Sequence, residues 1–119
     1  PVTDVATVQA MQEAILGVHV AAALQGYLLD LVDETRRDAR LALGVSPRGS
    51  LALFRGAQAL AALDGRSYIV PEDIKSLALP VLRKRMIVKP EQVMRGIDEA
   101  HVIRDILDRV DVPVSRAEE

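Results

Sequence analysis

Apolar residues recur along this chain at intervals of three and four, the period of helices lying against a core. Val5, Val8, Met11 and Ile15 mark a first helix, which Thr3 or Asp4 can cap and Gly17 ends. "GVHV" then reads as a short extended connector. From about Ala22 to Arg37 a second helix carries Leu24, Tyr27, Leu28, Leu31 and Val32 on one stripe, with Asp30, Asp33, Glu34 and Arg37 largely away from it. "RDARLALGVSP" breaks the period and closes on a start signal, because Ser46 can cap exposed backbone amides and Pro47 suits the first helical position. A third helix follows to about Asp64. Its apolar positions Leu51, Phe54, Ala57, Leu60 and Ala61, with Leu53 and Leu63 close by, cover much of its circumference, which predicts the central helix of the domain.

Gly65 is placed to stop that helix in a left-handed conformation. "RSYIV" predicts a short extended segment with Tyr68 and Ile69 packed inward, and Pro71 opens a fourth helix with Ile74, Leu77 and Ala78 toward the core. Glu72 and Asp73 fall in its first turn, where they read as helix-start residues rather than an acid/base pair, and Pro80 is expected to kink or divide it. After "RKR" at 83–85, "MIVKP" reads as an extended connector and "EQVMRG" fits no single element. Asp98 can cap a last helix with a stripe of Val102, Ile103, Ile106, Leu107 and Val110. Pro113 ends regular structure, and "SRAEE" reads as a frayed tail.

Composition sharpens this into a fold class. A chain of 119 residues, 50% hydrophobic but only 3% aromatic, is long enough for one core and too short for two, and Leu, Val, Ile and Ala suit close-packed helices. The expectation is all-α: a small helical bundle of four to six helices, with residues 1–119 forming a single domain. The absence of cysteine excludes disulfides and thiolate metal sites, and His19 and His101 lie far apart in sequence and read as surface positions, so no metal is expected. Met11, Met86 and Met94 read as core or interface fillers. No apolar run reaches the roughly 18 to 20 residues of a membrane span, and the chain reads as soluble and cytoplasmic. It opens on Pro1 rather than Met, which fits a processed protein or a piece of a longer one.

The net charge of −2 hides a pattern: residues 1–35 carry −5, residues 36–95 carry +7 and residues 96–119 carry −4. A basic middle between acidic ends points to an anion-facing surface. No phosphate loop, dinucleotide fingerprint, HExxH motif or nucleophile with a nearby histidine is present. Arg48 stands out instead. It occupies the first turn of a helix, where acids are preferred, and its guanidinium presents the rigid fork of donors that matches phosphate oxygens.

The stretch "LGVSPRGSLALFRGAQALAALDGRSYIVPEDIKSLALPVLRKRM" resembles the carboxy-terminal lid domain of MoxR-type AAA+ ATPases, whose pattern is close to GxSPRAxxxLxxAAxAxAxxxGRxYVxPEDVxxLxxxVLxHR. The match is dense over roughly residues 41 to 88. The resemblance implies that Arg48, the arginine of SPR, is the sensor-2 residue that reaches the terminal phosphates of ATP. Gly44, Ser46 and Pro47 would position it, by turning, capping and fixing the entry of its helix. The chain departs from the pattern at Gly49 in place of alanine, at Val70 where a capping Ser or Thr is common, and at Lys84–Arg85 in place of His-Arg.

The resemblance also implies ATP and Mg2+ as cofactors of a longer parent, none bound by residues 1–119 alone, and ATP hydrolysis by the parent with no catalytic residue in this piece. The implied partners are the AAA+ core domain of the same chain, neighbouring subunits of a ring, usually a hexamer, and a protein with a von Willebrand factor A domain. The implied role is chaperone-like assembly or metal-cofactor insertion in client complexes. Two alternatives remain open on sequence alone. One is the lid of a magnesium-chelatase-like AAA+ subunit. The other is a small helical nucleic-acid-binding module using Arg36, Arg37, Arg40, Arg83, Lys84, Arg85 and Lys89.

Overall fold

The computed structural model describes residues 2–113; "SRAEE" lies outside them. The elements in chain order are α1 (Val5–Leu16), α2 (Ala22–Arg37), β1 (Leu41–Leu43), α3 (Pro47–Leu63), α4 (Pro71–Leu82), a 3-10 turn (Arg83–Arg85), β2 (Ile87–Val88), α5 (Pro90–Val93) and α6 (Glu99–Arg109). The architecture is helical, as expected, with one small addition. β1 and β2 pair antiparallel, Leu41 opposite Val88 and Leu43 opposite Ile87 across a bulge, where the sequence suggested only connectors.

Local chemistry sets most boundaries. Asp4 caps α1 by accepting from the Thr7 amide at 2.8 Å, and Asp98 caps α6 by accepting from the His101 amide at 3.0 Å. Gly65, at φ +77°, turns the chain out of α3; the Arg66 and Gly65 amides bond back to the carbonyls of Ala61 and Ala62, the paired bonds of a Schellman ending. α4 has no side-chain cap from Val70, but Asp73 reaches back to the Val70 amide at 2.8 Å and supplies half of a capping box. Contrary to the expectation of a division, α4 runs on through Pro80 to Leu82. Pro80 is exposed, so the Ser76 carbonyl that it leaves without an intrahelical donor belongs to a residue on the solvent side.

The core is built from one face each of α2, α3, α4 and α6. Tyr27, Leu28, Leu31 and Val32 of α2 meet Leu53, Ala57 and Ala61 of α3, Ile74, Ala78 and Leu82 of α4, and Val102, Ile103 and Ile106 of α6. Each fully buried Leu, Ile or Val is worth about 1.5–3 kcal/mol relative to exposure. α3 is central, touching α1, α2 and α4, but its inward face is not the broad one expected. The buried positions are Gly49, Leu53, Ala57, Gln58 and Ala61, most of them small and at spacing four, while α4 comes close at Gly56, where an added Cβ would lie 3.3 Å from Leu77; Leu51 is half exposed and Leu63 is 83% exposed. Gln58, buried, donates to the Val18 carbonyl at 2.9 Å and accepts from Arg55 at 3.0 Å, tying α3 to the connector before α2.

Three further expectations are corrected. Tyr68 is half exposed while Ile69 is buried, because neighbours on an extended segment point to opposite sides. Here the His19 amide donates to the Ser67 carbonyl and the Ile69 amide to the His19 carbonyl, so Ile69 takes the inner side. Met86 is a core residue, but Met11 and Met94 are exposed, Met94 at 89%. The apolar residues Val5, Val8 and Met11 of α1 also face solvent.

An arginine–aspartate clamp joins the end of α3 to the start of α4. Arg66 holds both Asp73 carboxylate oxygens at 2.8 Å, and also binds Asp64 at 2.9 Å and the Tyr68 carbonyl at 3.0 Å. Burial pushes the Asp73 carboxyl up, but the Arg66 guanidinium and the Val70 amide outweigh it and hold it below the usual carboxylate range. A lowered folded pKa means that this stabilisation is present above the unfolded carboxylate value of about 3.9 and is lost as pH falls through the folded value. Urea unfolding between pH 6 and pH 2.5 is expected to find wild type more stable than Asp73→Asn at pH 6, with the difference shrinking toward the acid end. A difference that stays constant with pH would refute the ionic origin of the clamp.

Candidate functional site

The segment that carries Arg48 is mounted with little freedom. At the end of α2 the buried Thr35 donates its hydroxyl to the Val32 carbonyl at 2.6 Å and accepts from the Val45 amide at 3.0 Å. Arg36 donates through Nε to the Val45 carbonyl at 2.7 Å, so both backbone polar groups of the fully buried Val45 are held by consecutive residues of α2. Gly44 makes this approach possible. A Cβ there would lie 2.7 Å from the Thr35 carbonyl oxygen and 2.7 Å from the Arg36 Cα, both backbone atoms of a helix that cannot step aside. Removing the Thr35 hydroxyl by Thr35→Val leaves a buried amide unpaired. We expect a loss of about 1–3 kcal/mol in urea unfolding with unchanged m-value, and a loss below about 0.5 kcal/mol would contradict this account of the turn.

From this anchor α3 begins with Ser46 in an extended conformation and Pro47 at the first helical position. The Ser46 hydroxyl makes no capping hydrogen bond, contrary to its expected role. Its carbonyl does the work instead, accepting from the Gly49 amide at 2.9 Å and the Ser50 amide at 3.2 Å. Pro47 has no N–H. The donor left over at the helix start is the backbone amide of Arg48, which has no acceptor among the described residues. The Arg48 side chain is exposed and has neither a hydrogen bond nor an ion pair among those residues, and the first turn contains no acid to offset the helix dipole. Arg48 therefore offers an anion a guanidinium and an amide from one rigid support.

Several of the other basic residues of the middle segment are already committed. Arg40 binds Asp38 and Asp105, lowering the Asp38 pKa chiefly through its hydrogen bond, and so ties the end of α2 to α6. Arg66 binds Asp73 and Asp64, Arg37 lies 3.6 Å from Glu34, and Arg83 lies 4.0 Å from Glu99. Much of the positive charge read from the sequence is thus internal bracing. Beside Gly44, Ser46 and Pro47 an open groove of about 590 Å³ is lined by Arg36, Leu43, Val45 and Arg85.

The sequence profile described as "AAA lid domain" matches residues 33–106, well over half of the chain. The chain belongs to the AAA lid domain family. Proteins named MoxR are among the relatives it matches. "Chaperone MoxR1" of Mycobacterium tuberculosis is 31% identical over 112 residues, covering 87% of this chain and 30% of the relative. "Uncharacterized protein YeaC" of Bacillus subtilis is 39% identical over 107 residues, covering 90% of this chain and 33% of the relative. A crystal structure of a "putative ATPase" from Cytophaga hutchinsonii superposes with a TM-score of 0.80 at 31% identity, over 86% of this chain and 34% of that one. The chain thus spans about a third of the length of the proteins it matches, and it is a MoxR-type lid.

The profile match covers the whole Arg48 mount, from Asp33 of α2 through to α6, so Thr35, Arg36 and Gly44 belong to the lid as much as Arg48 does. Sequence reasoning named Gly44, Ser46, Pro47 and Arg48, missed Thr35, and read Arg36 only as one base of a possible nucleic-acid surface and not as a holder of Val45. A threonine and an arginine at the end of an amphipathic helix carry no signal that they grip a loop ten residues on. No helix among the described residues of the lid is long and apolar enough to cross a membrane.

Proposed function

We propose that this lid closes over ATP bound to the AAA+ core domain of its parent protein and that Arg48 is the sensor-2 arginine, contacting the terminal phosphates. The observation that carries the reading is the condition of Arg48: exposed, without a carboxylate partner among the described residues, and beside its own uncommitted amide. Gly44 and Pro47 position it, and Ser46 contributes through its carbonyl. These residues fit one side of a nucleotide site and no more. The chain has no phosphate loop lysine or magnesium-supporting acid motif, so both belong to the core domain. Mg2+ held there would neutralise phosphate charge, while the lid supplies orientation and one further positive contact.

On this reading the parent is an ATPase of the cytoplasm. Its subunits assemble as a ring, of six where the family pattern holds, and the lid transmits nucleotide state to the neighbouring subunit. A von Willebrand factor A domain protein serves as partner. The name of the Mycobacterium tuberculosis relative, a chaperone, supports a chaperone-like role; on this reading its clients are complexes that need assembly or insertion of a metal cofactor. A nucleic-acid-binding module is disfavoured, because Arg36, Arg37, Arg40 and Arg83 are drawn to carbonyls and carboxylates of the chain itself. Steady-state ATP hydrolysis and ATP affinity of the full-length parent, wild type beside Arg48→Ala, test the proposal. Unchanged turnover and affinity would end it.

A further inference from the structure

Arg85 approaches the Arg48 turn from a different element. It ends the 3-10 turn after α4, and its Cδ lies 3.3 Å from where a Cβ on Gly49 would stand, one residue past Arg48. The same added carbon would strike the Val45 side chain. The absence of a side chain at position 49 therefore gives the stem of Arg85 a bare stretch of α3 to cross. Beyond that stem Arg85 lines the groove with Arg36, Gly44, Ser46 and Pro47, and no carboxylate is among the lining residues. Arg36 spends its Nε on the Val45 carbonyl and has Asp33 at 4.0 Å. Arg85 is exposed and makes no hydrogen bond or ion pair among the described residues. Two unpaired guanidinium groups are thus carried on adjoining turns, with a helix start between them and no acid in the first turn of α3. Arg48 itself does not line that groove, so an anion that uses both guanidinium groups must reach from the start of α3 into it.

We propose that Arg85 is a second phosphate-binding arginine of the lid, gripping the phosphate chain of the nucleotide beside Arg48. The inference rests on the phosphate-facing role of Arg48. A polyphosphate spreads its charge over several oxygens, and two planar forks on rigid supports bind such a chain at two points. Lys84, the neighbouring base, is exposed and does not line the groove.

The test uses the full-length parent with Arg85→Met, which keeps an apolar stem over Gly49 and removes the charge, beside Arg48→Ala. Expected for Arg85→Met is a rise of about fivefold or more in the Kd and KM for ATP, the loss of one charge-assisted contact, with kcat within about twofold of wild type. The salt dependence of ATP binding should also become shallower. If Arg48→Ala lowers turnover while Arg85→Met leaves affinity unchanged, the inference about Arg85 is overturned and the Arg48 reading stands. Unchanged behaviour in both variants overturns both. A change in ring assembly by Arg85→Met with affinity unchanged also overturns it, and assigns the residue to a subunit contact.

Discussion

Arg48→Ala in the full-length parent is expected to lower ATP turnover by about tenfold or more, at least roughly 1.4 kcal/mol of transition-state stabilisation, while leaving the stability of the lid within about 0.5 kcal/mol of wild type. Both halves follow from the same geometry. The side chain is exposed and braces nothing, so its loss has no reason to unsettle the fold. Yet it is the charged group that follows a firmly held turn, with α2 bonding both the amide and the carbonyl of Val45. A charge on a rigid support needs little reorganisation when phosphate charge redistributes, which is the condition under which a single guanidinium contributes most. Arg48→Lys should recover only part of the rate, because an ammonium keeps the charge and loses the fork. A variant with intact turnover but raised KM would show uniform binding of ATP rather than sensing of its reaction.

How far this site can be read from sequence depends on the range of the contacts that build it. α2 spans Ala22–Arg37 as expected, because its stripe is clean and its arginines sit at the end that the dipole favours. The start of α3 is equally legible, since Pro47 admits few alternatives. The strands were not legible: three residues and two residues are too few to show alternation, and they pair across more than forty positions. The inward face of α3 was misread for another reason. Large apolar residues draw attention, whereas three of the five buried positions of this helix are the small residues Gly49, Ala57 and Ala61. The place of Arg85 beside the start of α3 is a contact across the chain that no local pattern announces. In sequence Arg85 was one base in a run of three.

The gripping of Val45 leads to the second large effect, at Gly44. Gly44→Ala adds a single methyl group, yet that carbon would lie 2.7 to 2.8 Å from the Thr35 oxygen and the Arg36 nitrogen and Cα, all helix backbone. Side-chain rotation offers no relief, so the turn must back away from α2. In doing so it stretches the Thr35 and Arg36 bonds to Val45, and the expected cost is about 1–3 kcal/mol for overpacking, with the high end applying if those bonds break. Because Val45 leads directly into Ser46 and Pro47, the displacement also re-aims Arg48. Gly44→Ala is therefore expected to lower both the urea midpoint of the lid and the ATP turnover of the parent, whereas Arg48→Ala lowers turnover alone and Thr35→Val lowers stability first. The decisive measurement pairs urea unfolding with steady-state hydrolysis for these three variants. If Gly44→Ala unfolds like wild type but hydrolyses slowly, the glycine serves the nucleotide directly and not the mount. If it is destabilised with turnover intact where the lid remains folded, the mount does not aim Arg48, and the phosphate contact tolerates a shift of the helix start.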